Sequence, residues 1–234
     1  MKHQYFGDIN DYLKYGILRC FAEGGFRIGV CWMLTPDDGR TDGRKTQYLS
    51  RPNKWKSCDP PLFDALSEAL ERPDGKHLRH AESSAVIPLA RFFGGVVPDA
   101  RNERAIWFKQ ALLALSGTDL LFFDPDNGIE VPSKPLGRKD SSKYVYWDEL
   151  NEAWNGGASL LVFQHFARVK RDEIISMLSH EFAKRTPGSA IIPIRTSNVL
   201  FLLACRVGHR ARTEHVIQLL GNRWSGRVWT HNAT

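Results

Sequence analysis

The sequence contains only four cysteines, and none of them has the spacing of a metal site. No C-x-x-C pair occurs, so neither a zinc site nor a disulfide framework is predicted. The cysteines are scattered at Cys20, Cys31, Cys58 and Cys205. We therefore expect reduced thiols that are mostly buried.

Long hydrophobic runs and an export signal are also missing. The apolar run 199–205 is among the longest, and it is far shorter than the roughly 20 residues that a membrane-spanning helix needs. The first residues lack the basic start, the apolar run and the small-residue cleavage site of an exported protein. We therefore expect a soluble, cytoplasmic protein with no membrane partner.

The length and composition are those of one globular domain with a basic surface. A chain of 234 residues with 42% hydrophobic residues can bury one sizeable core, which predicts a single α/β domain over 1–234. The formal net charge of +6 favours a phosphate-rich partner, such as nucleic acid or a nucleotide. A merely solvated basic surface explains a charge of this size equally well.

Strand patterns alternate with helix patterns along the chain. The predicted strands are apolar runs, and they cover 26–34, 85–93, 118–123, 158–163, 190–194 and 199–205. The predicted helices have apolar residues at steps of three and four, and they cover 8–22, 62–70, 99–116, 148–154, 174–182 and 213–220. The short connection between the last two strands permits only a hairpin. We therefore predict a Rossmann-like, mostly parallel sheet with helices on both faces and an antiparallel hairpin near the C-terminus.

The sharpest candidate site is the loop that follows the strand predicted at 118–123. Asp124, Asp126 and Asn127 can accept hydrogen bonds or hold a divalent cation, and Gly128 permits a positive φ. Ligands bind at the carboxyl ends of strands in α/β sheets. We therefore expect Asp124 and Asn127 to lie in a solvent-accessible pocket, although a plain turn rich in Asp and Asn is the alternative.

Two further polar groups lie where a site is expected. Asp8, Asp11 and Lys14 have the three-residue spacing of one helix face and can reach a ligand together. A helix cap at Asp8 and a solvated pair between Asp11 and Lys14 explain them equally well. His165 follows the strand predicted at 158–163 and can carry a proton or bind a metal.

The order of these features along nearly the whole chain resembles the class I S-adenosylmethionine-dependent methyltransferases. It is most similar to the ribosomal RNA adenine-N6 methyltransferases with an Asp-Pro-Pro-Tyr motif. The segment 7–14 resembles their opening segment, and Asp124-Pro125 resembles the start of their catalytic motif. The overall pattern also resembles an uncharacterised bacterial family, which implies no activity.

This resemblance implies a methyltransferase-like enzyme that acts on nucleic acid or a nucleotide, with S-adenosylmethionine as cofactor. The residues that it implies for catalysis are Asp124, Asp126, Asn127, His165 and Lys14. The residues that it implies for cofactor binding are Asp8, Asp37, Gly39, Asp42 and Gly43. The sequence departs from the family in two places: Asp126 and Asn127 replace the end of the catalytic motif, and 37–43 stands where a glycine-rich fingerprint is expected.

Two other functions fit the same residues. A metal-dependent nuclease or phosphohydrolase would use Asp124, Asp126, Glu130 and Asp8 to hold Mg²⁺ or Mn²⁺, since these cations prefer carboxylate ligands. A non-enzymatic nucleic-acid-binding protein would use the basic tail, with exposed tryptophans as stacking surfaces. The tail residues concerned are Arg206, Arg210, Arg212, Arg223, Arg227, Trp224 and Trp229.

Overall fold

A sheet of seven strands runs through the centre of the protein. The computed structural model describes residues 1–37, 39, 43–83, 85–166 and 170–230. The described residues form nine strands, seven of which make up this sheet: β1 Ile28–Cys31, β2 Ala90–Phe93, β3 Leu120–Phe123, β4 Gly128–Ile129, β5 Tyr144–Val145, β6 Ser159–His165, β7 Ala190–Arg195, β8 Val199–Cys205 and β9 Trp229–Thr230. The helices are α1 Ile9–Glu23, α2 Pro52–Trp55, α3 Pro60–Glu71, α4 Arg101–Ala114, α5 Trp147–Asn155, α6 Arg171–Arg185 and α7 Arg210–Arg223.

The strand order is β2-β1-β3-β6-β8-β7-β9, and the core of the sheet is parallel. Strands β2, β1, β3 and β6 pair in parallel, whereas β8 pairs antiparallel with both β6 and β7. Strand β9 adds a short antiparallel edge to β7. The predicted α/β fold and the antiparallel strands near the C-terminus are confirmed, whereas the sheet as a whole is mixed and is parallel in its core.

Helices cover both faces of the sheet, because alternate residues of each strand point to opposite sides. Leu120 and Phe122 of β3 belong to a core that also contains buried residues of α1, α3 and α7. Leu121 and Phe123 belong to a second core, which contains buried residues of α4, α5 and α6. All four β3 side chains are buried, which explains why the sequence shows an unbroken apolar run here.

The observed strands are shorter than some of the predicted ones. Strand β1 covers Ile28–Cys31 rather than 26–34, although Phe26, Trp32 and Met33 are also buried. Met33 has a φ of 47°, which an extended strand cannot accommodate. Apolar character predicted which residues are buried, but it did not predict where the strand pairing ends.

The order in which the chain adds strands to the sheet changes at β1, because β2 lies on one side of it and β3 lies on the other. In α/β sheets such a change of order opens a crevice outside the carboxyl ends of the two strands, where ligands bind. The loops that follow β1 and β3 meet at this edge. None of the helices in the described part of the chain has the length and apolar composition needed to span a membrane.

Trp224 follows α7 and packs against the middle of α1. Its side chain is fully buried, and its ring lies 5.1 Å from that of Tyr12. A Cβ atom at Gly16 of α1 would overlap the indole ring of Trp224. The glycine therefore allows the tryptophan to approach the helix, and this contact joins the C-terminal part of the chain to the N-terminal helix.

We predict that Gly16→Ala destabilises the protein, although alanine is the better helix former by about 1 kcal/mol. The added methyl group must displace Trp224, which is expected to lower the free energy of unfolding by about 1–3 kcal/mol. Gly221→Ala in α7 is the matched control, because a Cβ atom there meets open space. Chemical denaturation should show a lower free energy of unfolding for Gly16→Ala and a higher one for Gly221→Ala. A stabilised Gly16→Ala protein would contradict the proposed contact.

Candidate functional site

A polar pocket of about 690 Å³ lies at the carboxyl ends of β3 and β6. Its walls come from the N-terminal segment, the start of α1, the loop after β3 and the end of β6. The residues predicted from the sequence that line it are Asp8, Lys14, Gly43, Asp124, Asp126, Asn127 and His165. The fold therefore brings three separate polar segments of the sequence together at one edge of the sheet.

Some of the residues assigned to a cofactor do not line this pocket. Asp37 is exposed and accepts a hydrogen bond from the backbone N–H of Gln4 at 3.3 Å. Gly39 is also exposed, and Asp42 lies outside the described residues. Gly43 lines the pocket, but a Cβ atom there would overlap the carbonyl oxygen of Gln4. The packing of the N-terminal segment is therefore sufficient to explain the glycine at this position.

Lys14 lies at the centre of the charged part of the pocket. Its Nζ is 2.8 Å from Asp11 Oδ1 and 2.7 Å from Asp124 Oδ2, and all three side chains are buried. Burial alone would lower the pKa of Lys14, but the negative charges of Asp11 and Asp124 outweigh it and raise the pKa. Lys14 is therefore charged, and it ties α1 to the carboxyl end of β3.

Asp11 has both of its carboxylate oxygens occupied. Oδ1 accepts a hydrogen bond from Lys14, and Oδ2 accepts hydrogen bonds from the backbone N–H of Gly7 at 3.2 Å and from the hydroxyl of Tyr15 at 3.0 Å. Gly7 has a φ of 79°, a conformation that glycine adopts readily. Asp11 therefore holds the turn before α1 and fixes the position of Lys14.

Both oxygens of Asp126 lie close to groups that the sequence did not reveal as partners. Its Oδ1 lies 2.9 Å from the amino group of Met1, and its Oδ2 accepts a hydrogen bond from Thr35 Oγ1 at 2.7 Å. The Nζ of Lys2 is 3.5 Å from Oδ2. Burial alone would raise the pKa of Asp126, but the amino group of Met1, Thr35 and Lys2 together hold it below its ordinary value.

Asp8 and Asp124 each retain one oxygen that accepts no hydrogen bond from the residues that the structure describes. Asp8 Oδ1 caps α1 by accepting from the backbone N–H groups of Asn10 at 2.8 Å and Asp11 at 3.0 Å, which leaves Oδ2. Asp124 Oδ2 accepts from Lys14, which leaves Oδ1. Both residues line the pocket, and their exposed fractions are only 7% and 1%. These two oxygens are the acceptors that a ligand can use.

The two carboxyl groups hold protons more tightly than usual. Burial, followed by the negative charge of Asp11, raises the pKa of Asp8 to about 6. Burial also raises the pKa of Asp124, because Lys14 offsets the loss of hydration only in part. Asp8 therefore changes its charge just below neutral pH.

His165 and Asn127 form the more open side of the pocket, and both are exposed. The ring of His165 lies 4.9 Å from that of Phe163, edge to face. Partial desolvation by the pocket walls, followed by the positive charge of Lys14, lowers the pKa of His165. The imidazole is therefore neutral at pH 7 and can either donate or accept a hydrogen bond.

The expectation that Asp124 is solvent accessible was wrong, whereas Asn127 is exposed as predicted. Asp124 is buried because Lys14 reaches it from α1, 110 residues away in the sequence. The loop itself is anchored further on, where Gln164 Oε1 accepts a hydrogen bond from the backbone N–H of Ile129 at 2.8 Å. Local sequence did not show these partners.

Positive charge surrounds the mouth of the pocket. Arg44 and Lys45 line it, are exposed, and form no ion pair with the residues that the structure describes. Lys143 also lines it, but its Nζ lies 3.0 Å from Asp140 Oδ1. Arg44 and Lys45 are therefore available to an anionic part of a ligand.

The carboxylates proposed for a divalent metal do not form a cluster. Glu130 lies outside the pocket lining, and its Oε1 accepts a hydrogen bond from the backbone N–H of Trp147 at 2.8 Å. Within the described ranges, no group of three or more His, Cys, Asp or Glu side chains has the geometry to hold a metal ion. The four carboxylates named in the nuclease hypothesis are therefore not gathered into one metal site in the described part of the chain.

The basic tail differs from the expected nucleic-acid-binding surface. Trp224 is fully buried, so the prediction that it forms a stacking surface was wrong. Several of the arginines contact the protein itself: Arg206 packs on Trp154, Arg212 pairs with Asp119, Arg223 pairs with Glu23, and Arg227 packs on Trp55. Trp224 was needed to fill the core beside Gly16, and the hydrophobic pattern of the tail did not reveal this.

In comparisons with known proteins, no family model and no curated sequence matched this chain.

We predict that Lys14→Met destabilises the protein strongly. The substitution leaves Asp11 and Asp124 buried without their shared cation, which is expected to lower the free energy of unfolding by about 3–5 kcal/mol. Asp124→Ala should lower the free energy of unfolding by less, because Lys14 keeps its contact with Asp11. Asn127→Ala is the control and should change the free energy by less than about 0.5 kcal/mol. Urea denaturation gives all three values, and a Lys14→Met protein as stable as the control would contradict this arrangement.

The raised pKa of Asp8 predicts a specific pH dependence of stability. Below the ordinary value of 3.8 the carboxyl is protonated in both states, whereas above about 6 the folded protein must carry a buried charge. The stabilisation from protonated Asp8 is therefore lost as the pH rises from 4 to about 6. Relative to Asp8→Asn, the wild type should lose up to about 3 kcal/mol across this range, since one pKa unit is worth about 1.4 kcal/mol.

The measurement is chemical denaturation of both proteins at pH 4, 5, 6 and 7. Asparagine is also a good helix cap, so the variant changes the charge while keeping the cap. A difference in stability between the two proteins that does not vary with pH would show that Asp8 titrates normally.

Proposed function

We propose that the protein is a methyltransferase-like enzyme that acts on nucleic acid or a nucleotide. The observation that carries the proposal is Asp124, which lines a pocket at the carboxyl end of β3: Lys14 holds its Oδ2, and its Oδ1 accepts no hydrogen bond from the described residues. A carboxylate oxygen fixed in this way can accept a hydrogen bond from the exocyclic amine of a base. This is the role that the resemblance implies for the first residue of the catalytic motif.

The architecture supports the proposal. The strand order changes side at β1, since β2 and β3 lie on opposite sides of it. The pocket opens on the carboxyl edge of the sheet, where Rossmann-like proteins bind nucleotides. The antiparallel strand β8 agrees with the terminal hairpin on which the resemblance partly rests. A Rossmann-like, methyltransferase-like fold is the interpretation that we favour for this sheet.

The lining of the pocket suits a nucleotide. Phe166 and Tyr5 supply partly exposed aromatic surface, on which a base can stack. Arg44 and Lys45 supply positive charge at the mouth for a phosphate or a carboxylate. The volume of about 690 Å³ lies within the range of pockets that hold small molecules and cofactors.

The chemical character of these residues also fits S-adenosylmethionine. Asp8 can accept hydrogen bonds from the ammonium or hydroxyl groups of the cofactor, and Arg44 or Lys45 can bind its carboxylate. When bound, S-adenosylmethionine supplies an activated methyl group. The sequence after β1 departs from the glycine-rich fingerprint of the family, and the amino group of Met1 donates to the carbonyl oxygen of Met33 in this segment at 3.0 Å. Cofactor binding would therefore depend on side chains more than on a backbone loop.

In this mechanism the residues of the chain orient the target amine and accept the proton that it releases. Lys14 holds Asp124 in place, and Asp124 Oδ1 accepts a hydrogen bond from the amine. The neutral imidazole of His165 lines the same pocket and can take up a proton that the amine releases. The aromatic side chains exclude water from the bound base.

We predict that S-adenosylmethionine or S-adenosylhomocysteine binds with a dissociation constant in the micromolar range, about −8 kcal/mol. Isothermal titration calorimetry of the wild type measures this directly. Asp124→Asn should instead weaken the binding of AMP, which carries the exocyclic amine of adenine, at least tenfold, because the carboxylate oxygen that accepts the amine hydrogen bond becomes part of a neutral amide. Circular dichroism must show that the variant is folded.

Asp119→Asn is the matched control, because Asp119 lies at the opposite end of β3 and pairs with Arg27 and Arg212. Its binding should equal that of the wild type. Failure of both compounds to bind the wild type would remove the methyltransferase proposal. An equal loss of binding affinity in Asp124→Asn and Asp119→Asn would mean that Asp124 affects binding only through the stability of the protein.

A further inference from the structure

Asp8 differs from the other carboxylates of the pocket in how it is held. Oδ1 is used by the backbone N–H groups of Asn10 and Asp11, and no lysine or arginine side chain forms an ion pair with Asp8 in the described part of the structure. Asp11, Asp124 and Asp126, by contrast, each contact an ammonium group. Asp8 is thus a nearly buried carboxylate that no cationic side chain among the described residues pairs with.

A helix cap does not require this arrangement. Capping uses one side-chain oxygen, and serine, threonine or asparagine caps a helix as well as aspartate does. An ionised carboxylate with an exposed fraction of 7% loses much of its hydration, and this loss is unfavourable without a partner. In the free protein, the lost hydration of the second oxygen is therefore energetically unfavourable. A hydrogen-bond donor or a cation bound in the pocket would offset this loss.

We propose that Asp8 recognises a hydrogen-bond-donating or positively charged group of the bound ligand, and that binding requires the ionised carboxylate. This inference rests on the proposed function, because it assigns to Asp8 one part of the ligand in the same pocket. Arg44 and Lys45 at the mouth attract the anionic part of that ligand. The pocket thereby selects a molecule that carries both a cationic or donor group and an anionic group, as S-adenosylmethionine and S-adenosylhomocysteine do.

The proposal predicts that affinity depends on pH. Since the pKa of Asp8 is raised to about 6, roughly one molecule in ten is ionised at pH 5 and nine in ten at pH 7. Affinity should therefore be about tenfold weaker at pH 5 than at pH 7. The α-amino group of either compound stays protonated over this range, because α-amino groups titrate at about pH 8.

Other charged and titratable groups face Asp8 and must be separated from it. They are Asp11, Lys14 and Tyr15 on α1, and Tyr48 and Lys76 from elements packed against it. Tyr15 and Tyr48 have raised pKa values because they are buried, so neither ionises between pH 5 and pH 7. His165 and Asp124 line the pocket as well, and the lowered pKa of His165 and the raised pKa of Asp124 both allow a change of charge in the pH range of the experiment. A variant of Asp8 itself is the decisive control.

The experiment measures binding of S-adenosylmethionine and S-adenosylhomocysteine by calorimetry at pH 5, 6 and 7. The proteins are the wild type, Asp8→Asn and Asp8→Ser, since both substitutions keep a cap and remove the charge. Asp59→Asn is the matched control, because Asp59 caps α3 in the same way and lies outside the pocket. Melting curves at each pH verify that every protein is folded.

We expect the wild type and Asp59→Asn to bind about tenfold more weakly at pH 5 than at pH 7. Asp8→Asn and Asp8→Ser should bind weakly at every pH, without this dependence. Saturation with S-adenosylhomocysteine should also lower the pKa of Asp8, as read from its carboxyl carbon resonance by NMR.

Two results would overturn the inference and leave the proposed function standing. One is wild-type binding that does not change with pH, and the other is an Asp8→Asn protein that binds as tightly as the wild type at pH 7. If neither compound binds the wild type at any pH, the proposed function fails and the inference fails with it. The failure of the inference alone is therefore distinguishable from the failure of both.

Discussion

The contact of Lys14 with Asp11 and Asp124 is the interaction on which the site depends. It joins the first helix to the carboxyl end of β3, at distances of 2.8 and 2.7 Å. Removing a lysine from water costs several kcal/mol, and this cost is offset only when its partners are held accurately. Asp11 meets that requirement because Gly7 and Tyr15 fix its other oxygen. The ion pairs therefore define the position of Asp124 in the pocket.

The use of carboxylate oxygens within the protein determines what remains for a ligand. Asp11 and Asp126 have all their oxygens engaged by the chain itself. Asp8 and Asp124 each keep one oxygen that accepts no hydrogen bond from the residues that the structure describes, and both residues line a pocket to which Arg44 and Lys45 add positive charge. Structural and functional roles thus occur in the same residues: one oxygen holds the fold, and the other is available for binding.

Much of the fold could be predicted from the sequence because its elements depend on local spacing. The apolar run before Asp124 forms β3, and the runs at 190–194 and 199–205 form the paired strands β7 and β8. Asp8 caps α1 as predicted, since a cap involves only the next few residues. The candidate site was also found in part, because polar residues at the ends of buried strands are brought to one edge by a parallel sheet.

What the sequence by itself determined were most of the elements, the parallel core of the sheet and several of the charged residues that line the pocket. Only the tertiary structure decided which of those residues are buried and which oxygens remain free. Lys14 reaches Asp124 across 110 positions, and Trp224 fills the core beside Gly16 across more than 200. Periodicity and turn chemistry extend over a few residues, whereas burial and ion pairing depend on which distant segments the fold brings into contact.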